Sequence, residues 1–300
     1  MRLAIASGRV CKTQDTGAAP IGASPVTVVY PGPEGSHSDA AAAAMFPAAG
    51  RLPRNSFRGV AAAVAGADAT HGVLPIESSL AGAVAETHDL LNECPLSIVA
   101  EAVLPITHAL VAPRQVGLAD IRLVRSHPSA LEQCRAFLHR LPQARIISTA
   151  TTADAARETA EGGDPHAAAI ASAEAASRYG LVSLADDVGD APAFTRFVAI
   201  APYTWLGATR DGARTAFTFV ADHRPGALHA AIEPFAHAGL DLLRIVSRPL
   251  PSAPWSYRFD AVVAGHPLDP PVRRAFDELR RATRSYLIVG VYEGADELRS

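Results

Sequence analysis

The chain has 300 residues and a formal charge of −3, with 27 Lys+Arg against 30 Asp+Glu, which argues against a basic binder of nucleic acid or of an anionic membrane surface. Its 49% hydrophobic fraction is too high for a disordered chain and suits roughly two domains of ~150 residues each. Cys11, Cys94 and Cys134 are far apart and form no CxxC pair, so neither a disulfide framework nor a zinc site is expected, and a cytoplasmic setting is the simplest.

Residues 1–24 are small and polar, without the apolar core of a signal peptide, and are expected to form a flexible leader. From residue 25 strands alternate with helices. "VTVVY" is a β-branched strand, and "GPEGSHSDAAAAAMF" turns into an Ala-rich helix capped by Ser36 or Ser38. "FRGVAAAVAGADAT" predicts a helix, "HGVLPI" a short buried strand, and "ESSLAGAVAETHDLLNE" a helix with a polar start. "LSIVAEAVLPITHALVA" predicts two strands separated at Pro105. "IRLVRSHP" is a strand, "SALEQCRAFLHRL" a helix, "ARIIST" a strand and "TTADAARETAEG" a helix. "AAAIASAEAASRYG" combines a strand and a helix, and "TRFVAIA" closes the series as a strand. This rhythm predicts an α/β domain with largely parallel sheets. After a break near 204–213, the order from "RTAFTFVAD" to "SYLIVGVYE" is βαββαβ, the ferredoxin-like unit.

Three strand-to-helix turns, "YPGPEGSHSDAA", "LPIESSLAGA" and "IISTATTADAA", place Ser or Thr where free backbone N–H groups and the helix dipole favour anions. Such turns collect beyond the carboxyl ends of the strands, where α/β sheets bind ligands. For any single turn, ordinary N-capping is the better explanation. In "PAFTRFVAI", Arg196 can fork a carboxylate or close a strand-start ion pair. Thr195 can assist a leaving oxygen or serve as a cap. His127 precedes Pro128 at a strand end, which is more often structural than catalytic, and Gln133 follows on the helix. The 11 histidines show no metal-binding spacing, and neither GxGxxG nor GxxxxGK[ST] occurs, so no metal and no nucleotide cofactor is expected. "RPGALHAAIEPF" carries Pro225-Gly226 at a helix entry, suited to a tight turn or to close approach of a ligand.

In order, "GPEGSHSDAA", "GVLPIESSLAGAVAETHDLL", "SHPSALEQC", "STATTADAA", "TRF" and "RPGALHAAIEPFAHAGLDLLRIVSRP" resemble the blocks of the prephenate dehydratase family, in the monofunctional form with a C-terminal ACT regulatory domain. The resemblance spans residue 26 to about 293. It implies a two-lobed, type II periplasmic-binding-protein-like catalytic domain over 25–203, with lobe 1 at 25–104 and 192–203 and lobe 2 at 105–191, followed by an ACT domain at 213–295. The implied reaction converts prephenate to phenylpyruvate, carbon dioxide and water without a cofactor. The resemblance casts Thr195 as the group assisting departure of the ring hydroxyl, with Arg196 in support. Ser36, Ser38, Glu77, Ser78, Ser79, Gln133 and Thr152 are expected to line the substrate pocket. Gly226, Ala227, Leu228, Ser247 and Arg248 are expected to hold an L-phenylalanine effector. Pairing of ACT domains implies a homodimer or homotetramer.

The chain departs from the family pattern at four places. Ser78 stands where the family has Asn, "APAF" replaces an Asn-rich lead into the tripeptide, Val246 replaces a Glu, and His37 replaces an aromatic residue. These leave two alternatives open: a specialised relative that uses a modified prephenate or decarboxylates it, and a non-catalytic amino-acid sensor.

Overall fold

The computed structural model describes residues 26–203, 210–250 and 253–295. The expected leader, Cys11 and much of the expected boundary at 204–213 lie outside the described residues.

The first stretch runs β1 (Thr27–Pro31), α1 (His37–Met45), β2 (Gly50–Arg54), α2 (Phe57–Ala65), β3 (His71–Ser78), β4 (Gly82–Ala83), α3 (Ala85–Glu93) and β5 (Leu96–Ile106). The chain then enters a second sheet through β6 (Ala109–Ala112), β7 (Leu123–Ser126), α4 (Pro128–Gln133), α5 (Arg135–Leu138), β8 (Arg145–Ser148), α6 (Thr152–Gly162), β9 (Ala167–Ala171), α7 (Ala173–Arg178) and β10 (Val182–Ala185). It returns to the first sheet as β11 (Ala193–Pro202). The last unit is β12 (Ala213–Val220), α8 (Ala227–His237), β13 (Leu242–Pro249), β14 (Tyr257–Ala264), α9 (Pro270–Ala282) and β15 (Ser285–Glu293), which is the expected βαββαβ order. The whole is a two-lobed α/β architecture of the type II periplasmic-binding-protein kind with a ferredoxin-like unit at the C-terminal end.

Both sheets are mixed rather than largely parallel. In the first, β1 pairs parallel with β2 and β3, while β11 is antiparallel to both β3 and β5. In the second, β7 pairs parallel with β8 and β9, while β6 runs antiparallel to β9 and β10. Antiparallel pairs arise where the chain passes between the sheets, because the returning strand enters its sheet from the opposite end. The first sheet continues into the C-terminal unit through β15, which meets β5 at Gly290 opposite Ile98. Nothing separates the two backbones there: a Cβ on Gly290 would lie 2.4 Å from the Ile98 carbonyl oxygen.

The core follows this continuity. One apolar cluster joins Val29, Leu74, Leu90, Ile98 and Val198 to Ala216, Val262, Val289 and Tyr292 of the C-terminal unit. That unit also has its own centre, where Phe217, Phe235 and Phe276 pack with ring centroids 5.0–5.3 Å apart. Burial of large apolar side chains here contributes roughly 1.5–3 kcal/mol per residue.

Several local expectations are corrected. The "ESSLAGAVAETHDLLNE" helix begins only at Ala85. Strand β3 runs on through Ser78 because β11 continues to pair with it, and the chain then reverses at Gly82, whose φ of +77° suits glycine. Strand β5 runs through Pro105, and the break falls at Thr107–His108 instead. Pro105 is tolerated because the facing Phe194 directs both its backbone N–H and its carbonyl to Ser79, so the missing proline N–H is not needed. The "SALEQCRAFLHRL" helix is interrupted at Cys134. Strands β2 and β10 had no signal in the sequence, since β2 is exposed, contains Pro53 and lies at the sheet edge.

Candidate active site

Sheet directions alone gather most of the expected residues. Because β1 and β3 are parallel, the Gly32–Ser38 loop and the Ser78–Ser79 turn leave the same end of the first sheet. Strand β11 is antiparallel to β3 and begins at that end, so Thr195 lies opposite Ser78 and Arg196 opposite Glu77. The last residues of β5 reach the same end and pass directly to His108. In the second sheet the carboxyl ends of β7, β8 and β9 lead to His127, Thr151 and Ser172, each the N-cap of the next helix.

These two sets of strand ends meet. The Ser172 hydroxyl donates to the Gly35 carbonyl at 3.5 Å, the Tyr179 hydroxyl donates to the Glu34 carbonyl at 3.1 Å, and Arg178 forms an ion pair with Glu34. The His37 ring stands edge-on to His108, with centroids 6.1 Å apart. His108 Nε2 lies 3.0 Å from Gln133 Oε1, and Gln133 Nε2 donates to Ser129 Oγ at 3.0 Å. With the Gln133 oxygen as acceptor, His108 carries its proton on Nε2 and presents a bare Nδ1. That Nδ1 and His37 Nε2 are both buried without a partner. Burial, aided by His108, pushes the His37 pKa down to about 4, and burial also lowers that of His108. The cleft therefore holds two neutral imidazoles at neutral pH.

The individual residues divide by task. Ser36, not Ser38, caps α1, accepting from the Asp39 N–H at 3.3 Å; Ser38 is buried in the first turn. Ser79 ties the end of β3 to β11 through two 2.9 Å hydrogen bonds with the backbone of Phe194, immediately before Thr195. Ser78 Oγ accepts from the N–H groups of Leu80 and Ala81, both at 3.3 Å, and so shapes the turn. Thr151 rather than Thr152 caps α6, and its methyl lies 3.6 Å from where a Cβ on Gly32 would stand. The signal for it was in the sequence: Thr151-x-x-Asp154 has capping-box spacing, and Asp154 accepts from the Thr151 hydroxyl at 2.8 Å. His127 is a helix cap, its Nδ1 accepting from the Ser129 N–H at 3.2 Å.

Glu77 and Arg196 turn to one another. Arg196 donates from Nε to Glu77 at 3.2 Å and from Nη1 to Glu101 at 2.6 Å. Burial acts against the charged guanidinium, but Glu101 and Glu77 outweigh it and raise its pKa. Of the two roles open to Arg196, bridging carboxylates of its own chain is the one observed. The β11–β3 pairing shifts register just after it, a bulge that returns Phe197 to the core against Val28, Tyr30 and Val73.

The family model for prephenate dehydratase matches residues 28–204, the span that runs from β1 through β11. The chain belongs to the prephenate dehydratase family. The prephenate dehydratase of Mycobacterium tuberculosis is 36% identical over 85% of this chain and 83% of its own. A prephenate dehydratase from Arthrobacter aurescens, solved in complex with L-Phe, superposes with a TM-score of 0.82 at 33% identity, covering 89% of this chain and 90% of that one. A second solved chain, GqqA, described as a novel type of quorum quenching acylase, gives a TM-score of 0.83 at 34% identity, covering 90% of this chain and 98% of its own.

The C-terminal unit of this prephenate dehydratase family member has a cavity of about 410 Å³ beside the turn into α8. Asp222, Arg224, Ala227, Leu228, Tyr257 and Phe259 are among its lining. Of the expected effector residues, Ala227 and Leu228 line this cavity, and Gly226 takes a φ of +77° at the helix entry. Ser247 sits on β13 opposite Phe259. Arg248 donates to Asp89 of α3 at 2.8 Å. No described helix is long and apolar enough to cross a membrane.

Proposed function

We propose that the chain is a prephenate dehydratase acting in L-phenylalanine biosynthesis in the cytoplasm, with its site in the cleft between the lobes at 25–104 with 192–203 and at 105–191. The observation that carries the proposal is the placement of Thr195. It starts the central antiparallel strand of the first sheet, at the end where the hydroxyl-bearing turns of both sheets converge, and its hydroxyl has no hydrogen-bond partner among the described residues. In the reaction the ring carboxylate leaves as carbon dioxide and its bonding pair enters the ring. The hydroxide leaves with one proton as water, and aromatisation supplies the driving force. Thr195 donates a hydrogen bond to that departing oxygen, where charge develops in the transition state. With Arg196 Nε on Glu77 and Nη1 on Glu101, the substrate carboxylates fall to the hydroxyl of Ser36 and to the N-terminal ends of α1 and α6. The ACT unit at 213–295 binds L-phenylalanine beside Ala227 and Leu228, and it pairs with a second copy in a homodimer or homotetramer.

The test is phenylpyruvate formation from prephenate by the purified protein, followed by ultraviolet absorbance. Thr195→Ala should lower kcat by about 10²–10³-fold, the scale of losing one transition-state donor. Product at only the uncatalysed rate would exclude the dehydratase. Loss of carbon dioxide alone would point to a decarboxylase, and tight phenylalanine binding without turnover to a sensor. The similarity to GqqA supports acyl hydrolysis as a second activity. Release of a free acid from an N-acyl substrate, absent in Thr195→Ala, would establish it.

A further inference from the structure

An alternating row of charges crosses from the catalytic sheet into the C-terminal unit. Arg244 on β13 donates to Glu77 Oε2 at 3.2 Å, and the same oxygen accepts from Arg196 at 3.2 Å. Arg196 reaches Glu101 Oε1 at 2.6 Å, and Arg214 on β12 donates to that oxygen at 2.7 Å. The Tyr292 hydroxyl on β15 closes the row on Glu101 Oε2 at 3.3 Å. Three guanidiniums and two carboxylates alternate, and the two outer guanidiniums belong to the C-terminal unit. The Glu101 side chain is only 2% exposed. A carboxylate so removed from water is held in one place by its cations, because leaving one unpaired there costs several kcal/mol.

The middle member matters for chemistry. Arg196 adjoins Thr195 and precedes the bulge, where the β11–β3 ladder is locally disrupted. Its orientation is fixed by two carboxylates, and each of these is itself held by an arginine from the C-terminal unit. We infer that Arg244, acting through Glu77, is a positioning residue for the Thr195–Arg196 pair, so that the C-terminal unit completes the catalytic site instead of merely accompanying it. This rests on the dehydratase assignment for its kinetic consequence, though not for its structural one. Arg244 is three and four residues from Ser247 and Arg248 on the same strand, so displacement of β13 is transmitted directly to Glu77.

The full-length chain tests this with Arg244→Met, Arg244→Lys and Glu77→Gln. Arg244→Met should lower kcat for prephenate about tenfold with KM changed less than twofold, and Arg244→Lys should recover at least a third of the loss. Combining Arg244→Met with Glu77→Gln should cost no more than Glu77→Gln alone, since both cut one connection. A wild-type kcat in Arg244→Met, or losses that multiply in the double variant, would overturn the inference. A second readout does not need turnover. The Nε–H resonance of Arg196 in arginine-labelled protein, assigned with Arg196→Lys, should be ordered in the wild type and broadened or shifted in Arg244→Met. If the wild type proves inactive on prephenate, the dehydratase assignment fails while this resonance still decides the positioning. An unchanged resonance in Arg244→Met would refute it.

Discussion

His37 should make the protein lose stability in mild acid, and His37→Phe should remove that loss. The ring is buried at the start of α1, edge-on to His108, and its pKa falls to about 4 against about 6.5 in an unfolded chain. The charged groups that bear on it are His108, which lowers the pKa further, and Glu174, which raises it. The folded state holds the ring neutral, whereas the unfolded chain takes up a proton as the pH falls through 6.5. The contribution is therefore complete above about pH 6.5 and is lost progressively down to about pH 4. Between pH 7 and pH 5 the two titrations differ by roughly 1.3–1.4 logarithmic units, or about 2 kcal/mol. Phenylalanine keeps an edge-on ring against His108 and carries no proton. Urea unfolding at the two pH values should show the variant losing about 2 kcal/mol less than the wild type. Equal losses would mean that His37 is not held neutral, and that the closed contact between the lobes is looser than the geometry requires.

Two further substitutions probe the seam between the catalytic sheet and the C-terminal unit. Gly290→Ala would drive a methyl to 2.4 Å from the Ile98 carbonyl oxygen, against the backbone and Cβ of Ile98, which cannot swing aside as a flexible side-chain end would. A loss of ~1–3 kcal/mol is expected from this overpacking, read as a lower urea midpoint, and an unchanged midpoint would refute the close approach. Asp260→Asn removes the carboxylate that holds His88 at 3.1 Å and Arg258 at 2.8 Å in a buried cluster linking α3 to β14. Burial alone would raise the Asp260 pKa, but the His88 and Arg258 partners outweigh it and lower it. This stability is present above the ordinary carboxylate range and is lost as the pH falls through the lowered value. Arg258 retains Asp89, so the substitution should cost roughly 3 kcal/mol at pH 7, toward the lower end for a broken buried pair. It should also flatten the acid limb of the stability profile, and an unaltered limb would show that the cluster contributes nothing.

What the sequence reveals about this molecule depends on how local each signal is. The cap at Ser36 and the glycine at position 226 express themselves within three residues of chain, and helices appear where those signals fall. The ferredoxin-like order was readable for the same reason: each strand and helix carries its own periodicity. Glu77 shows the opposite case. From "LPIESS" it looked like one more polar residue at a helix entry, yet that stretch stays extended because β11, more than a hundred residues later, pairs with it. Its carboxylate then meets Arg196 and Arg244, partners 119 and 167 positions away. Neither spacing leaves a trace in composition.

The same distance dependence explains why Arg196 kept two meanings until the fold was known. The charge that settles it is distributed across two units. Arg214, Arg244, Arg248 and Arg258 of the C-terminal unit face Glu77, Glu101 and Asp89 of the catalytic part. A net charge of −3 conceals this complementarity, because most acids are balanced by a base elsewhere in the chain. Arg196 belongs to the catalytic side of that seam and yet joins its acids, the only cation that the catalytic side contributes to the row. A guanidinium so placed keeps Nε on Glu77 and Nη1 on Glu101, and giving up Glu101 would strand a carboxylate that water barely reaches. On the proposed dehydratase reading the substrate is held from the cleft side by hydroxyls and helix ends, while Arg196 ties β11 to the C-terminal unit through Glu77 and Glu101.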